Sequence, residues 1–357
     1  MFRSLKLSPS LGSLICSALV LAACSGPSAP EQQAGNATEN NGFLNIYSAR
    51  HYDSDQDIYD AFQEKTGIKV RARESGAAQL LETMKAEGDA SPADVILASD
   101  AGTLWRFEDA GLTQEVHSEV LDAAIPEHLR DPDGHWFGLA KRYRTIVYDK
   151  SAVDPSEVDE FMDLATDRFD DNICARSSSN IYNLSLMSEI IERYGSEAAA
   201  DWAEGVVGNF AIDPAGGDTD QIRAVAAGAC EVALSNHYYW VRLATSGASS
   251  DQEAAEATAL SFASAGDGAH VNVTAGAVAA HAPNRDHAVA FLEFLASPEG
   301  QAMLVSQTKE YPVVEGVPLP EGLMEIPEDL KQSDLSLDVL GRNQVEAQQI
   351  YDRAGWP

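Results

Sequence analysis

Between Phe43 and Ala98 five strand-like and helix-like patterns alternate, and no other feature constrains the fold of this chain as much. Phe43-Leu44-Asn45-Ile46-Tyr47 reads as a strand. Asp57 to Thr66 reads as a helix, with Ile58, Ala61 and Phe62 on one face and Gly67 as its stop. Ile68 to Ala72 alternates like a second strand, Ala77 to Gly88 reads as a second helix, and Asp94 to Ala98 is an apolar run suited to a buried third strand. A β-α-β-α-β order implies a mostly parallel sheet with helices on both faces. The second half repeats this style. Strands are expected over 172–176, 230–234 and 270–280. Helices are expected over 184–194, 221–227 and 286–295, the last continuing after Ser297-Pro298-Glu299-Gly300. Trp136 to Tyr148 reads as strands crossing toward a second domain, and 245–257 as a small, acidic surface excursion. The 357 residues suffice for about two domains of roughly 150 each. No internal repeat is visible, which disfavours a solenoid.

The first residues are not part of that fold. Arg3 and Lys6 form a basic start, and Leu11 to Ala23 is apolar but shorter than the roughly 20 residues of a bilayer span. It ends in Leu21-Ala22-Ala23-Cys24, the pattern of a bacterial lipoprotein signal. Residues 1–23 are therefore expected to be cleaved, leaving Cys24 as a lipidated first residue; an ordinary secretory signal cut nearby is the other reading. Residues 24–42 lack aromatic residues, Lys and Arg and read as a lipidated flexible tether.

Removing 1–23 takes away two of the 24 basic residues and leaves 22 against 56 acidic ones, a net charge of −34. Such a field repels nucleic acid and anionic headgroups and attracts cations without selecting among them. Of the four cysteines, Cys16 leaves with the signal and Cys24 takes the lipid. Cys174 and Cys230 remain, either as a disulfide suited to an oxidising compartment or as two buried thiols.

Three loops after predicted strands present tyrosine: Tyr52 after 43–47, Tyr182 after 172–176, and Tyr238-Tyr239 after 230–234. Open α/β sheets bind ligands beyond the carboxyl ends of their strands. A phenol is protonated at neutral pH, with an ordinary pKa near ~10. A highly charged cation displaces that proton, and the resulting hard oxygen anion suits a hard trivalent ion such as ferric iron. In a regular strand Tyr238 and Tyr239 would point to opposite faces; in a turn or helix start both can converge. Surface tyrosines or sugar-stacking platforms are the alternative. Asp53-Ser54-Asp55-Gln56-Asp57 with Glu64 imitates a calcium loop but places Ile58 where that loop needs glycine. Helix capping and the helix dipole explain the run better. Gly216-Gly217-Asp218 is expected to cap the following helix rather than cradle phosphate. The other histidines lack metal-ligand spacing, and there is no phosphate loop, no Gly-x-Ser-x-Gly and no visible acid, base and nucleophile set, so an enzyme is not expected.

Tyr47-Ser48-Ala49-Arg50-His51-Tyr52, Arg176-Ser177-Ser178-Ser179-Asn180-Ile181-Tyr182-Asn183 and Asn236-His237-Tyr238-Tyr239 resemble the signature segments of ferric-iron-binding proteins of bacterial ABC importers, the Fut/Fbp group of type II periplasmic binding proteins. Ala282-Pro283-Asn284-Arg285 before Phe-Leu-Glu-Phe-Leu is also similar to that group, as is the less specific Ser297-Pro298-Glu299-Gly300-Gln301. The resemblance spans roughly 43–357. It implies two α/β lobes with iron in the cleft: 43–141 plus about 266–316, and 142–265 plus about 317–357. It further implies Tyr52, Tyr182, Tyr238 and Tyr239 as metal ligands and His51 as a nearby histidine that ligates in some members; the cysteine pair matches too. Four phenolates around Fe³⁺ carry a net −1, and Arg142, Arg144 and Arg50 are candidate cations behind the ligands. Ordinary surface salt bridges are the alternative for each.

The expected protein is thus a monomeric lipoprotein of the periplasm or cell surface, membrane-bound through its lipid, that captures Fe³⁺ and delivers it to an inner-membrane ABC permease with its ATPase. Fe²⁺ is left open, with His51 or water replacing a phenolate. A polyamine, thiamine or another small organic ion held between aromatic walls is the competing cargo.

Overall fold

A computed structural model describes residues 42–357 other than His51 and Asp53. The expected signal peptide, Cys24 and the tether up to residue 41 lie outside these residues. β1 (Phe43–Ser48), α1 (Asp55–Thr66), β2 (Lys69–Glu74), α2 (Ala77–Glu87) and β3 (Val95–Ala98) follow in the order read from the sequence. β1 pairs in parallel with β2 on one side and β3 on the other. Gly67 ends α1 in the left-handed conformation at φ 74°, which glycine adopts without steric cost. α1 starts two residues earlier than expected. Asp55 and Asp57 lie in its first turn, where the helix dipole favours them, but Ser54 occupies the N-cap without a side-chain bond. Asp55 instead forms a buried two-point ion pair with Arg50, at 2.9 Å from Nε and 2.8 Å from Nη2.

The chain continues through α3 (Ala101–Asp109), α4 (Glu119–Ala124) and β4 (Phe137–Asp149). Next come β5 (Ile173–Cys174), α5 (Ile181–Gly208), α6 (Asp218–Ala226), β6 (Val232–Asn236) and α7 (His237–Ala244). Then follow α8 (Ser249–Ala257), β7 (Thr258–Ser261), β8 (Val271–Val278), α9 (Arg285–Leu295) and α10 (Pro298–Thr308). β9 (Tyr311–Pro312), α11 (Val339–Arg342) and α12 (Gln344–Ala354) complete the described elements. The strands run in the order β2-β1-β3-β8-β4-β6-β5, with β7 and β9 also paired to β4. β8 is antiparallel to both neighbours, so β1, β2, β3 and β4 share one direction. β5 and β6 run parallel to each other and antiparallel to β4. Each half is mostly parallel, as the α/β pattern implied; β8 and β9 in the first and β4 in the second run against the rest.

β4 joins two hydrophobic cores. Phe137, Leu139 and Tyr143 enter the first, with Phe62, Phe291 and Leu104; Ile146 and Tyr148 enter the second, with Met187, Trp202 and Trp356. Leu323, Leu337 and Leu340 pack in the first core, whereas Ala347, Ile350 and Tyr351 pack in the second. Residues 245–257 differ from expectation, because Ser249–Ala257 folds into α8 and buries Ala254 and Ala255. Alanine, glutamate and glutamine favour helix, and two adjacent alanines give too narrow an apolar face to show in the pattern.

Cys174 and Cys230 form a disulfide with S–S 2.00 Å. It sits beside the parallel pairs Ile173↔Val232 and Cys174↔Ala233, just before two of the tyrosine loops. Reducing it opens a loop whose closure stabilises the fold by about 3–4 kcal/mol in chain-entropy terms. A urea titration with reductant is expected to reach its midpoint earlier by a matching amount, and an unchanged midpoint would show that the cross-link is inert.

Candidate metal centre

β6 ends at Asn236 and α7 begins at His237, so Tyr238 and Tyr239 occupy the first helical turn and both escape strand alternation. Their ring centroids lie 4.5 Å apart. Tyr182 stands at the start of α5, where Asn180 Oδ1 accepts its backbone N–H at 3.0 Å. The Tyr238 hydroxyl donates to the Tyr182 hydroxyl at 3.1 Å, and Asn236 Nδ2 donates to the Tyr238 hydroxyl at 3.1 Å. Tyr52 comes from the loop after β1. The Arg242 guanidinium lies 5.4 Å from its ring centroid, 4.9 Å from that of Tyr238 and 5.4 Å from that of Tyr239. All four predicted tyrosines are therefore brought together from three loops. His51 lies outside the described residues.

Burial raises the Tyr182 and Tyr238 phenols well above their ordinary value, and repulsion from the neighbouring phenol positions adds to the rise. Tyr52 is raised too, first by burial and then by Glu310 and Tyr239, while Arg242 and Arg50 oppose. Adjacent phenolates repel one another, so Tyr52, Tyr182 and Tyr238 hold their protons, and only a cation of high charge could displace them. Among the described residues no group of three or more His, Cys, Asp or Glu side chains is placed to hold a metal ion.

Guanidinium groups surround the phenols. Arg142, on β4, lies 5.2 Å from the Tyr182 ring centroid and pairs with Asp100 at 3.3 Å and Glu310 at 3.6 Å. Arg144, also on β4, pairs with Asp218 at 2.5 Å and donates to Asn183 Oδ1 at 2.8 Å. Arg50 stands 5.0 Å from the Tyr52 ring centroid. All three are buried, so none is an ordinary surface salt bridge. Two further arginines were not among the candidate cations. Arg176 pairs with Asp218 at 2.8 Å and lies 5.7 Å from the Tyr182 ring centroid; Arg242 donates to the Thr308 carbonyl at 2.9 Å. The signal for Arg242 was its spacing, four residues after Tyr238 and three after Tyr239 on one helix. Arg50, Arg142, Arg144 and Arg176 pair with the four carboxylates of Asp55, Asp100, Asp218 and Glu310, and Arg242, bonded to a backbone carbonyl, leaves this set of groups with one net positive charge.

Other groups set this frame. Asp218 fills the α6 start after Gly216-Gly217 with a buried carboxylate, and Asp220 accepts the Gly217 N–H at 2.8 Å, so the turn is a cap rather than a phosphate cradle. His237 accepts the Tyr143 N–H at 3.2 Å and donates to the Lys309 carbonyl at 3.1 Å, which ties the start of α7 to β4. Burial lowers its pKa to about 3, so it is neutral at physiological pH. Arg142, Arg144, Asn236, His270 and Asn272 close around Tyr182.

The family model for bacterial extracellular solute-binding proteins matches residues 57–331. Iron uptake protein A1 of Synechocystis sp. is 44% identical over 314 residues, covering 88% of this chain and 87% of that protein. The major ferric iron-binding protein of Neisseria meningitidis is 28% identical over 276 residues, covering 76% and 80%. A Trichodesmium FutA (IdiA) structure in complex with iron and citrate ligands is similar at TM-score 0.83 and 44% identity, over 88% of this chain and 100% of that one. The two-lobed α/β architecture of periplasmic binding proteins is thereby shared.

Proposed function

The chain belongs to the bacterial extracellular solute-binding protein family, and we propose that it captures ferric iron through the phenolates of Tyr52, Tyr182, Tyr238 and Tyr239 and delivers it to an ABC permease. The observation that carries this reading is the gathering of four phenols from three loops, with Tyr238 bonded to Tyr182 and Arg242 beside the other rings. Ferric iron with four phenolates carries −1, and the surrounding arginines and carboxylates carry +1, so the loaded site is neutral without further charge. A neutral assembly avoids the cost of an isolated buried charge. The same surplus disfavours a polyamine or thiamine, whose positive charge would meet a positive shell. Phenolate hardness and charge select the trivalent ion over softer divalent ones.

The lobes assigned to this reading are 43–141 plus about 266–316, and 142–265 plus about 317–357, with 323–340 packed on the first core. Tyr52 belongs to the first lobe and the other ligands to the second. Iron bridging them favours the closed arrangement, because only there do all four oxygens reach it. His51, next to Tyr52, is the reserve ligand, and Arg50, Arg142 and Arg144 are the cations that favour the phenolate forms. Signal cleavage before Cys24 and lipidation of that residue would tether the domain at the membrane through residues 24–42, in the periplasm or at the cell surface. The protein acts as a monomeric carrier, not as an enzyme.

Titration of the purified protein with chelated Fe³⁺ tests this. A broad visible phenolate-to-iron band is expected, saturating near one iron per chain and altered in Tyr238→Phe. A protein that stays colourless while iron remains on the chelator sinks the ferric reading and turns attention to organic anions.

A further inference from the structure

We propose that Asp100 and Ser185 form the latch that holds the cleft closed around the phenols, with Asp100 acting as a positioning residue for Tyr182; this rests on the two-lobed carrier reading. Asp100 Oδ2 accepts three hydrogen bonds from three elements: Asn272 Nδ2 on β8 at 2.7 Å, Ser185 Oγ on α5 at 2.8 Å and Arg142 Nη2 on β4 at 3.3 Å. Asp100 Oδ1 accepts the Thr103 N–H at 3.0 Å and so caps α3. All four side chains that meet at Oδ2 are buried.

Three of these groups move together: Asp100 and Asn272 belong to the first lobe, and Arg142, at the lobe boundary on β4, is held to it by β8 and precedes Tyr143 of the first core. Arg142 and Asn272 are directly paired across the β4–β8 ladder, and Asp100 follows β3, which pairs with β8 on its other edge. Asn272 Oδ1 also accepts the Ala101 N–H at 3.1 Å, fixing the start of α3 to β8. Ser185 is the outsider. It lies on α5, whose neighbouring residues Leu186 and Met187 pack in the second core, whereas Leu104 and Phe107 of α3 pack in the first. The Ser185–Asp100 bond therefore joins the two cores, and opening the cleft breaks it while the Arg142 and Asn272 bonds persist.

Its position links closure to ligand geometry. Ser185 is three residues beyond Tyr182 on the same helix, so a bond at Ser185 orients the turn that carries the Tyr182 ring. Arg142, bonded to the same carboxylate oxygen, stands over that ring. One carboxylate thus holds both the helix that presents Tyr182 and the cation that favours its phenolate. On this proposal the Ser185–Asp100 bond stabilises only the closed state, the state in which the ion meets all four oxygens. Hydrogen bonds to a charged acceptor are among the stronger ones, so losing it is expected to accelerate iron loss by about 10- to 100-fold.

The test compares purified wild-type protein with Ser185→Ala and Asp100→Asn, the second keeping the shape of the side chain. Three quantities are read: the visible band with Fe³⁺, the rate of iron transfer to a competing chelator, and the radius of gyration with and without Fe³⁺. The latch predicts an unchanged band position and stoichiometry in Ser185→Ala, because all four phenols remain, together with faster transfer and a larger radius. Asp100→Asn is expected to show the same direction, and melting curves separate misfolding from opening. Equal radii and equal transfer rates in wild type and Ser185→Ala overturn the latch. A wild type that forms no band, yet has a smaller radius than Ser185→Ala, keeps the latch and overturns the ferric reading; with no band and equal radii, both fail.

Discussion

Replacing Tyr182 with phenylalanine is expected to weaken ferric iron retention by more than about 100-fold, since altering a group merely behind a metal ligand already costs 10- to 100-fold. The ring stays, so the packing around it stays. What disappears is the oxygen to which Tyr238 donates, on the ring beside which Arg142, Arg144 and Arg176 lie. In the variant those three guanidinium groups face a neutral ring, and the loaded site carries one positive charge more than in the wild type. Both the lost bond and the lost neutrality act in the same direction. Tyr311→Phe is the matched control: its hydroxyl donates to the Met324 carbonyl, away from the cluster, and its loss is expected to leave iron retention unchanged. Competition against a chelator series measures both variants. Similar retention in Tyr182→Phe and the wild type would remove this tyrosine from the ligand set.

Iron uptake at neutral pH is expected to release about four protons per ion, because each phenol enters protonated and leaves as phenolate. The sign follows from the direction of the shifts. Burial raises Tyr52, Tyr182 and Tyr238, so the metal-free protein holds these protons throughout the range below the ordinary phenol value near ~10. Protons and iron compete for the same oxygens, and affinity falls as pH falls. Each coupled proton contributes about a factor of ten per pH unit, so the chelator-corrected affinity is expected to drop by up to about 10⁴ between pH 7 and pH 6. Calorimetry in buffers of different ionisation enthalpy counts the protons directly. Release of one proton or none would mean that the phenols are bystanders and that the cargo binds by other contacts.

The readable part of the fold was local in sequence. The run from Phe43 to Ala98 disclosed its elements because each has its own periodicity and its own stop, such as Gly67. The tyrosine loops were readable for the same reason: each follows a strand, and their shared address beyond strand ends places them near a common cleft. Charge placement was not readable. Arginine and aspartate are usually exposed, so nothing in composition marks Arg144 and Asp218 as a buried pair. Their partnership joins residues 74 positions apart and exists only once β4 and the start of α6 meet. Asp100 is a stronger case, since its carboxylate draws on α5, β4 and β8 at once. Arg242 lay between these extremes, visible as helical spacing from Tyr238 once α7 was known to begin at His237.

The most direct measurement is a diffraction experiment on crystals grown with Fe³⁺, with data collected at the iron absorption edge. The account predicts one anomalous peak per chain, within bonding distance of the phenolate oxygens of Tyr52, Tyr182, Tyr238 and Tyr239. A peak bound elsewhere, or crystals of saturated protein with no peak among these oxygens, would contradict it.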